Sequence, residues 1–348
     1  MTITSQKLVQ LQDQIQKERR LVSFDSYDIS VRQLVEMFEA GNIFVPPEYQ
    51  RQFLWDPERQ SQLIESLFLG IPVPSLFMAT NIDSTWEVVD GVQRLCTIAH
   101  FIGSKELLAR VKRDEPLRIT ELDKIPALEG MKHEDLPATL QLMFGTRPLR
   151  VTVLNDKSDS NVRFDLFERL NTGGIILSAQ EIRNCVYRGA FNDTIKKLSG
   201  ESDFIAVTNL QPADEKNGTR EELVLRFFAF LNKYESFEHS VKGFLNEYMK
   251  ETANTPPSDT DIQLFRKTFQ YLRKELPNGI ARGTRRITPI NLYEAISVGV
   301  ALCFKAGKTP RKVARLLDDP ALKKLTTGAT NSKKMVAGRI EYVRDTVQ

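Results

Sequence analysis

The chain has 348 residues, enough for roughly two domains that each bury a core of their own. Its 41% apolar and 27% charged residues are typical of a folded protein and exclude a disordered or collagen-like chain. The net charge of +3 is too small to predict a class of partner.

Cysteine and histidine are scarce and scattered, which excludes a disulfide scaffold, a zinc finger and a histidine-rich metallohydrolase. The six residues are Cys96, Cys185, Cys303, His100, His133 and His239. No apolar run approaches the roughly 20 residues of a membrane span, and the N-terminus lacks the apolar core of a signal peptide. We therefore expect no membrane partner and a location in the cytoplasm.

The first 200 residues mix helix and strand signals. Ser30 and Gln33 have the spacing of a capping box, which predicts a helix that ends near Gly41. Pro46 and Pro47 then exclude helix, since two successive residues lack an N–H donor. Further signals predict strands at 75–80, 86–89 and 150–154 and helices at 57–69, 92–102, 161–170 and 179–188, with residues 104–148 irregular.

Strand signals fade after residue 200. Thr219 and Glu222 have capping-box spacing and predict a helix through Tyr234. Thr288 and Thr309 each precede a proline and predict two further helix starts. The expected helices lie near 238–251, 260–275, 289–305, 310–317 and 333–346. The fold class is therefore α+β, with a small sheet in the N-terminal domain and an all-helical C-terminal domain.

The charge is unevenly distributed along the chain. Residues 305–348 contain eleven Lys and Arg against four acids, a net +7, which leaves −4 for residues 1–304. A basic end can contact a phosphate backbone, although a solvated helix face explains it equally well. The residues predicted to contact DNA are Arg282, Arg285, Arg286, Lys333, Lys334 and Arg339.

The strongest candidate site is the stretch from Trp86 to Arg94, where a predicted strand runs into Asp90-Gly91 and a helix follows at once. Such a turn aims the free N–H groups of a helix start outward, where they bind phosphate. Gly91 would let a ligand approach the backbone, and Arg94 would grip phosphate oxygens. The alternative is a plain capping box of Asp90 and Gln93, which only stabilises the helix.

Two more stretches could contribute to a binding site. The loop carrying Tyr49, Gln50 and Arg51 is stiffened by proline, so its side chains can reach a ligand at little entropic cost. Asn171-Thr172-Gly173-Gly174 follows a predicted helix and could close over a phosphate. Each stretch also has a structural explanation, as a packed loop and as a helix C-cap.

The only acid-x-Lys tripeptide of the kind found in a restriction-type nuclease core is Asp214-Glu215-Lys216, and it lacks strand character. No Gly-x-Ser-x-Gly nucleophile elbow occurs. A nuclease centre within the chain is therefore a weaker alternative.

Three motifs together resemble one family: PPEYQRQFLW at 46–55, VVDGVQRL at 88–95, and FERLNTGG with LSAQEIRN at 167–184. Their order and spacing are similar to the N-terminal domain of GmrSD-type modification-dependent restriction enzymes. The resemblance covers roughly residues 25–190. It implies a ParB/sulfiredoxin-like fold and domains at 1–24 (a helical extension), 25–200 (nucleotide-binding) and 201–348 (all-helical).

The resemblance also implies a function. The family's Asp-Gly-Gln-Gln-Arg motif binds a nucleoside triphosphate and in several members hydrolyses it. Asp90, Gly91, Gln93 and Arg94 match that motif, whereas Val92 replaces its first glutamine. Tyr49, Gln50 and Arg51 match an element beside the same pocket. Many members also carry a His-Asn-His nuclease domain, which the few scattered histidines predict to be missing here.

The leading hypothesis is a nucleotide-binding protein, an NTP hydrolase in bacterial defence against foreign DNA. Asp90, Gln93 and Arg94 would be catalytic, a nucleoside triphosphate the ligand, and Mg²⁺ an accompanying ion. DNA and a separate nuclease or defence subunit would be the partners. The alternative is a DNA-binding adaptor without turnover, which the replacement by Val92 and the basic end favour.

Overall fold

The computed structural model describes most of the chain. The described residues are 5–19, 23–46, 55–81, 83–155, 160–170, 177–283, 286–328 and 330–348. They form two compact units, Met1–Ile176 and Leu177–Gln348. The sequence predicted a domain boundary at residue 200. The division between the two units lies earlier in the chain, because the helix at Ala179–Val186 packs against helices of the C-terminal unit.

The N-terminal unit has a small sheet and a set of helices, which confirms the predicted α+β class. Its helices are α1 (Ser5–Arg19), α2 (Val31–Glu39), α3 (Pro57–Leu69), α4 (Val92–Ile102), α5 (Lys105–Val111), α6 (Ala138–Gly145) and α7 (Ser160–Leu170). Its strands are β1 (Phe24–Ser30), β2 (Ile43–Phe44), β3 (Leu76–Thr80), β4 (Trp86–Asp90) and β5 (Pro148–Leu154).

The five strands form one mixed sheet in the order β1-β5-β3-β4-β2. β1 and β4 are antiparallel to their neighbours β5 and β3, whereas the pairs β5–β3 and β4–β2 are parallel. Tyr27 of β1 stacks on Trp86 of β4, with ring centroids 5.6 Å apart. Two strands separate these residues in the sheet order, so the sheet must curve strongly to bring the rings together.

Several helix boundaries follow directly from the predicted caps. The Ser30 hydroxyl accepts a hydrogen bond from the Gln33 N–H at 3.2 Å, and Asp56 caps α3 through the Arg59 N–H at 2.8 Å. Gly70 ends α3 in the left-handed conformation with φ of 71°. These local interactions explain why the predicted ends of α2 and α3 are correct.

β1 and β2 were not predicted. β1 pairs along its whole length with β5, whose residues lie 118 to 130 positions away, and most of its side chains are exposed. Its sequence therefore lacks the apolar signal that reveals a buried strand. The stretch 104–148, predicted to be irregular, also contains α5 and α6.

The described residues of the C-terminal unit form helices and no strand, as predicted. Its helices are α8 (Ala179–Val186), α9 (Ala190–Ser199), α10 (Ser202–Val207), α11 (Thr219–Lys233), α12 (Val241–Thr252), α13 (Asp259–Glu275), α14 (Ile290–Lys305), α15 (Val313–Leu316), α16 (Pro320–Thr326) and α17 (Lys333–Thr346). The Thr219 capping box was wrong, because Gly218 is the N-cap of α11 and makes no side-chain cap bond. The helix predicted at Pro310 begins only at Val313.

A chain of buried ion pairs crosses the core of the C-terminal unit. Arg183 donates to Glu222 at 2.9 Å, and Glu222 also accepts from Arg226 at 2.7 Å. Arg226 then pairs with Glu294, whose second carboxylate oxygen accepts from Arg339. The five residues come from α8, α11, α14 and α17, so the charges tie four helices together. Burial would raise the pKa of Glu222, but Arg226 and Arg183 outweigh it and lower that pKa.

None of the described helices combines the length and the apolar character needed to cross a membrane.

Candidate functional site at the β4–α4 turn

The predicted phosphate-binding turn has the expected backbone shape. β4 ends at Asp90, Gly91 follows with φ of 98°, and α4 begins at Val92. Gly91 is the N-cap of the helix and makes no side-chain cap bond. The alternative capping box with Asp90 as the cap is therefore wrong, and the first N–H groups of α4 carry the positive end of the helix dipole.

Gly91 is required by packing as well as by its backbone angle. A Cβ atom at this position would clash with the Cδ2 atom of Leu76 from β3, and it would lie 3.4 Å from the Arg94 guanidinium. Gly91 and Val92 are both buried, whereas Asp90, Gln93 and Arg94 are partly exposed. The glycine thus lets a core side chain approach the turn, and a ligand would meet the side chains of the other three residues.

Arg94 holds the turn against the start of β3. Its Nη1 donates to the carbonyl oxygens of Pro74 and Ser75, the latter at 2.8 Å. Its Nη2 donates to Asp90 Oδ2 at 2.7 Å. Burial lowers the pKa of Arg94 and Asp90 partly compensates, but a guanidinium stays charged at any physiological pH. Arg94 therefore has a structural role, because it fixes the turn to the start of β3 whether or not a phosphate is bound.

These hydrogen bonds leave part of the Asp90 and Arg94 side chains available to a ligand. Within the described part of the chain, Asp90 Oδ1 and Arg94 Nε have no hydrogen-bond partner, while the Asp90 side chain is 33% exposed. An acceptor oxygen and a cationic N–H thus lie together at the mouth of the turn. This combination suits a ligand that brings both a cation and an anion.

Gln93 connects the turn to the segment that precedes α3. Its Oε1 atom accepts a hydrogen bond from the Trp55 N–H at 3.2 Å, and Gln60 Nε2 donates to the Trp55 carbonyl at 2.7 Å. Gln60 Oε1 lies 2.8 Å from His100 Nδ1, which places α3 and α4 on the same network. Gln93 therefore positions Trp55, which ends the motif containing Tyr49, Gln50 and Arg51.

Sequence reasoning missed these partners. The i, i+4 spacing of Asp90 and Arg94 was the one signal for their pairing. Nothing local connects Gln93 to Trp55 or Arg94 to Pro74, because both contacts depend on how β3 and α3 pack around the turn. Other predicted site residues, Tyr49, Gln50, Arg51, Asn171, Thr172, Gly173, Gly174 and Arg285, lie outside the described residues.

The predicted DNA-contacting residues divide into two groups. Lys333, Lys334 and Arg286 are exposed. Arg339 is fully buried and paired with Glu294, and Arg282 donates to Leu317 O and to Thr326 Oγ1. The prediction for Arg339 is corrected, since a guanidinium inside the core cannot face a phosphate, and Arg282 mainly ties its loop to the helices beside it.

A preformed metal site is not present among the residues that the structure describes, where no three His, Cys, Asp or Glu side chains cluster suitably. Mg²⁺ is commonly held by only one or two carboxylates together with phosphates and waters. The single carboxylate of Asp90, with Oδ1 available, fits an ion that arrives with a nucleotide.

Comparison with known proteins places this turn in a family. Residues 31–188 match the family model described as GmrSD restriction endonuclease, N-terminal domain. This part of the chain belongs to the GmrSD N-terminal domain family. The match confirms the resemblance seen in the three motifs, and it includes α2, the whole β4–α4 turn and α8 of the C-terminal unit.

Other comparisons add little to the GmrSD N-terminal domain assignment. A solved structure of a Pnob8-like ParB-N domain is similar with a TM-score of 0.23 and 13% identity, over 94% of this chain and 98% of that chain. No curated protein matches the sequence.

Proposed function

We propose that this protein binds a nucleoside triphosphate at the β4–α4 turn and acts in defence against foreign DNA. The observation that carries the proposal is the start of α4, where the N-cap Gly91 supplies no side chain, beside the Asp90–Arg94 pair and within a GmrSD N-terminal domain. The match to a restriction endonuclease family supports the context of DNA and defence. A cytoplasmic location, where foreign DNA arrives, is part of the same proposal.

The three exposed side chains of the turn would have different tasks. The N–H groups at the start of α4 and the available edge of Arg94 would bind phosphate oxygens. Gln93 would act as a positioning residue, because it fixes Trp55 and with it the end of the segment that carries Tyr49, Gln50 and Arg51. Asn171 to Gly174 remain candidates for a second phosphate contact.

Asp90 presents a problem that a metal ion would solve. Its carboxylate would repel a triphosphate, whereas Mg²⁺ supplies a positive charge that neutralises both groups when bound. Asp90 Oδ1 is the atom that would hold the ion, since Oδ2 already accepts from Arg94. We therefore propose that nucleotide affinity depends on Mg²⁺.

Hydrolysis would be slow. Val92 replaces a glutamine of the family motif, and its side chain is only 6% exposed. An apolar side chain directed into the core cannot orient a water molecule for attack on a phosphate.

The test is a titration of labelled nucleoside triphosphates with and without Mg²⁺, using R94A, R94K and D90N. We expect R94A to weaken binding at least tenfold and D90N to remove the dependence on Mg²⁺. R150A is the matched control, because Arg150 pairs with Asp28 on the same sheet in an exposed ion pair. Binding that is unchanged in both R94A and D90N would reject this site.

The second candidate is a DNA-binding adaptor that does not turn nucleotide over. It is favoured by Val92 and by the three protein acceptors that already engage Arg94. A phosphate-release assay with and without DNA distinguishes the two. Release above background that D90N abolishes supports the hydrolase, whereas nucleotide binding without release supports the adaptor.

A further inference from the structure

The α14–α15 turn brings five cations to one surface of the C-terminal unit. Lys305 ends α14, and Lys308, Arg311 and Lys312 follow in the turn. Lys267 of α13 lies over the Phe304 ring, 4.3 Å from its centroid. All five side chains are exposed, and the set Lys267, Lys305, Lys308, Arg311 and Lys312 is called the basic turn below.

Three contacts fix the backbone beneath these side chains. Tyr271 of α13 packs edge-on against Phe304 at 5.5 Å and donates from its hydroxyl to the Pro310 carbonyl at 2.8 Å. The Arg311 N–H donates to the Val347 carbonyl at 2.8 Å. The basic turn is therefore held between α13, α14 and the end of α17, so its cations need little further ordering to meet a ligand.

Among the described residues, none of the five side chains of the basic turn forms an ion pair. Arg344 holds Asp345 in a bidentate pair at 2.7 and 3.1 Å and lowers the pKa of this carboxyl, and the charge of Lys308 adds to that effect. Lys308 also donates to Gln348 Oε1, and Glu275 is half-buried. Burial, followed by Glu275, raises the pKa of Tyr271 to about 12, so this phenol adds no negative charge at neutral pH.

Two other exposed cations of the same unit are neutralised. On α13, Arg266 pairs with Glu201 at 2.8 Å and Arg273 with Asp203 at 2.6 Å. They flank Lys267 in sequence and are about half exposed. Exposure alone therefore does not leave a cation of this unit without an ion pair.

We propose that the basic turn binds the phosphate backbone of double-stranded DNA. A row of unpaired cations attracts a polyanion and releases its counterions. No large apolar side chain is exposed among the described residues of 305–348, which disfavours insertion into a membrane. The choice of DNA as the polyanion rests on the proposed function; the surface itself is independent of the nucleotide site, and four of its five residues lie in the basic end at 305–348.

The experiment measures binding of a labelled DNA duplex by fluorescence anisotropy over a salt series, without nucleotide. The slope of log affinity against log salt falls by about 0.9 for each phosphate that the protein no longer neutralises. K308A/R311A should therefore reduce the slope by about 2 and weaken binding at least tenfold at ~0.1 M salt. The charge-preserving K308R/R311K should restore binding, and R266A/R273A, which removes two paired cations, should change neither quantity.

Four outcomes would overturn the proposal. They are no DNA binding by the wild type, an unchanged slope in K308A/R311A, an equal loss in R266A/R273A, and stronger binding to vesicles of anionic phospholipid than to DNA. Nucleotide titration of the same K308A/R311A protein separates the two proposals. Intact nucleotide binding without DNA binding by the wild type rejects the basic turn alone, whereas DNA binding without nucleotide binding rejects only the nucleotide site.

Discussion

The two units of this chain use buried charge differently. In the N-terminal unit, the Arg94–Asp90 pair lies at the mouth of a turn, partly exposed, with one oxygen still available. In the C-terminal unit, Arg183, Glu222, Arg226, Glu294 and Arg339 form a chain whose members almost all lie deep in the core. Removing one partner of a buried ion pair leaves an uncompensated charge in the core, whereas charge that is half-paired at a surface can still bind a ligand.

The largest effect should come from breaking the buried chain of charges. E294Q removes the carboxylate that two arginines share, so that the three arginines of the chain face the single carboxylate of Glu222. We expect the free energy of unfolding to fall by about 3–5 kcal/mol. Urea denaturation followed by far-ultraviolet circular dichroism measures this loss in the helical unit.

A matched control for this loss is E201Q, which removes the partner of the exposed Arg266. A surface pair contributes less than about 1 kcal/mol, so the denaturation midpoint should hardly move. Equal losses in E294Q and E201Q would show that burial does not set the strength of these pairs.

The next largest effect should be at the turn of the N-terminal unit. G91A places a Cβ on a residue with φ of 98° and drives it into Leu76. We expect a loss of about 3 kcal/mol, from backbone strain and overpacking together. Both tryptophans, Trp55 and Trp86, lie in this unit, so fluorescence during denaturation reports its unfolding.

Gly130 supplies the control for that substitution. It also has a positive φ, 78°, but a Cβ there would meet no atom within 4 Å. G130A should therefore lose only about 1 kcal/mol, the backbone part of the effect. If G91A lost no more unfolding free energy than G130A, the close packing of Leu76 against the turn would be contradicted.

A smaller effect should follow from releasing Trp55. Q93A deletes the acceptor of the Trp55 N–H, and we expect a loss of about 1 kcal/mol together with weaker nucleotide binding. Q93E keeps an acceptor at this position but adds negative charge, so it should preserve the Trp55 fluorescence in a W86F background and still weaken nucleotide binding. The exposed Gln62 gives the control Q62A, which should change neither signal.

The smallest effect should be a dependence of the stability of the N-terminal unit on pH. Burial lowers the pKa of His100, with Arg113 adding to the effect, and burial lowers the pKa of His133. The unfolded chain therefore binds protons first, so stability is full above about pH 6.5 and declines as the pH falls through the lowered values. Urea denaturation at pH 7.5 and pH 5.5, followed by tryptophan fluorescence, measures this loss of stability. H133Q should reduce the difference in unfolding free energy between the two pH values.

The sequence predicted what local chemistry determines. The cap at Ser30, the strand running into Asp90-Gly91, and the change to an all-helical C-terminal unit are each encoded within a few residues. Contacts between distant segments were not predictable from the same signals. β1 depends on β5, Trp55 depends on Gln93, and Arg339 was taken for a surface residue because its partner Glu294 lies on another helix.

The most direct test of phosphate binding at the β4–α4 turn is to observe the turn while a polyphosphate binds. Magnesium tripolyphosphate, a probe without a base, can be titrated into isotope-labelled protein while backbone amide resonances are recorded. We predict that the largest chemical-shift changes belong to the amides of Val92, Gln93 and Arg94, and that D90N suppresses these changes. Saturable binding that leaves these three amides unchanged and shifts others would contradict it.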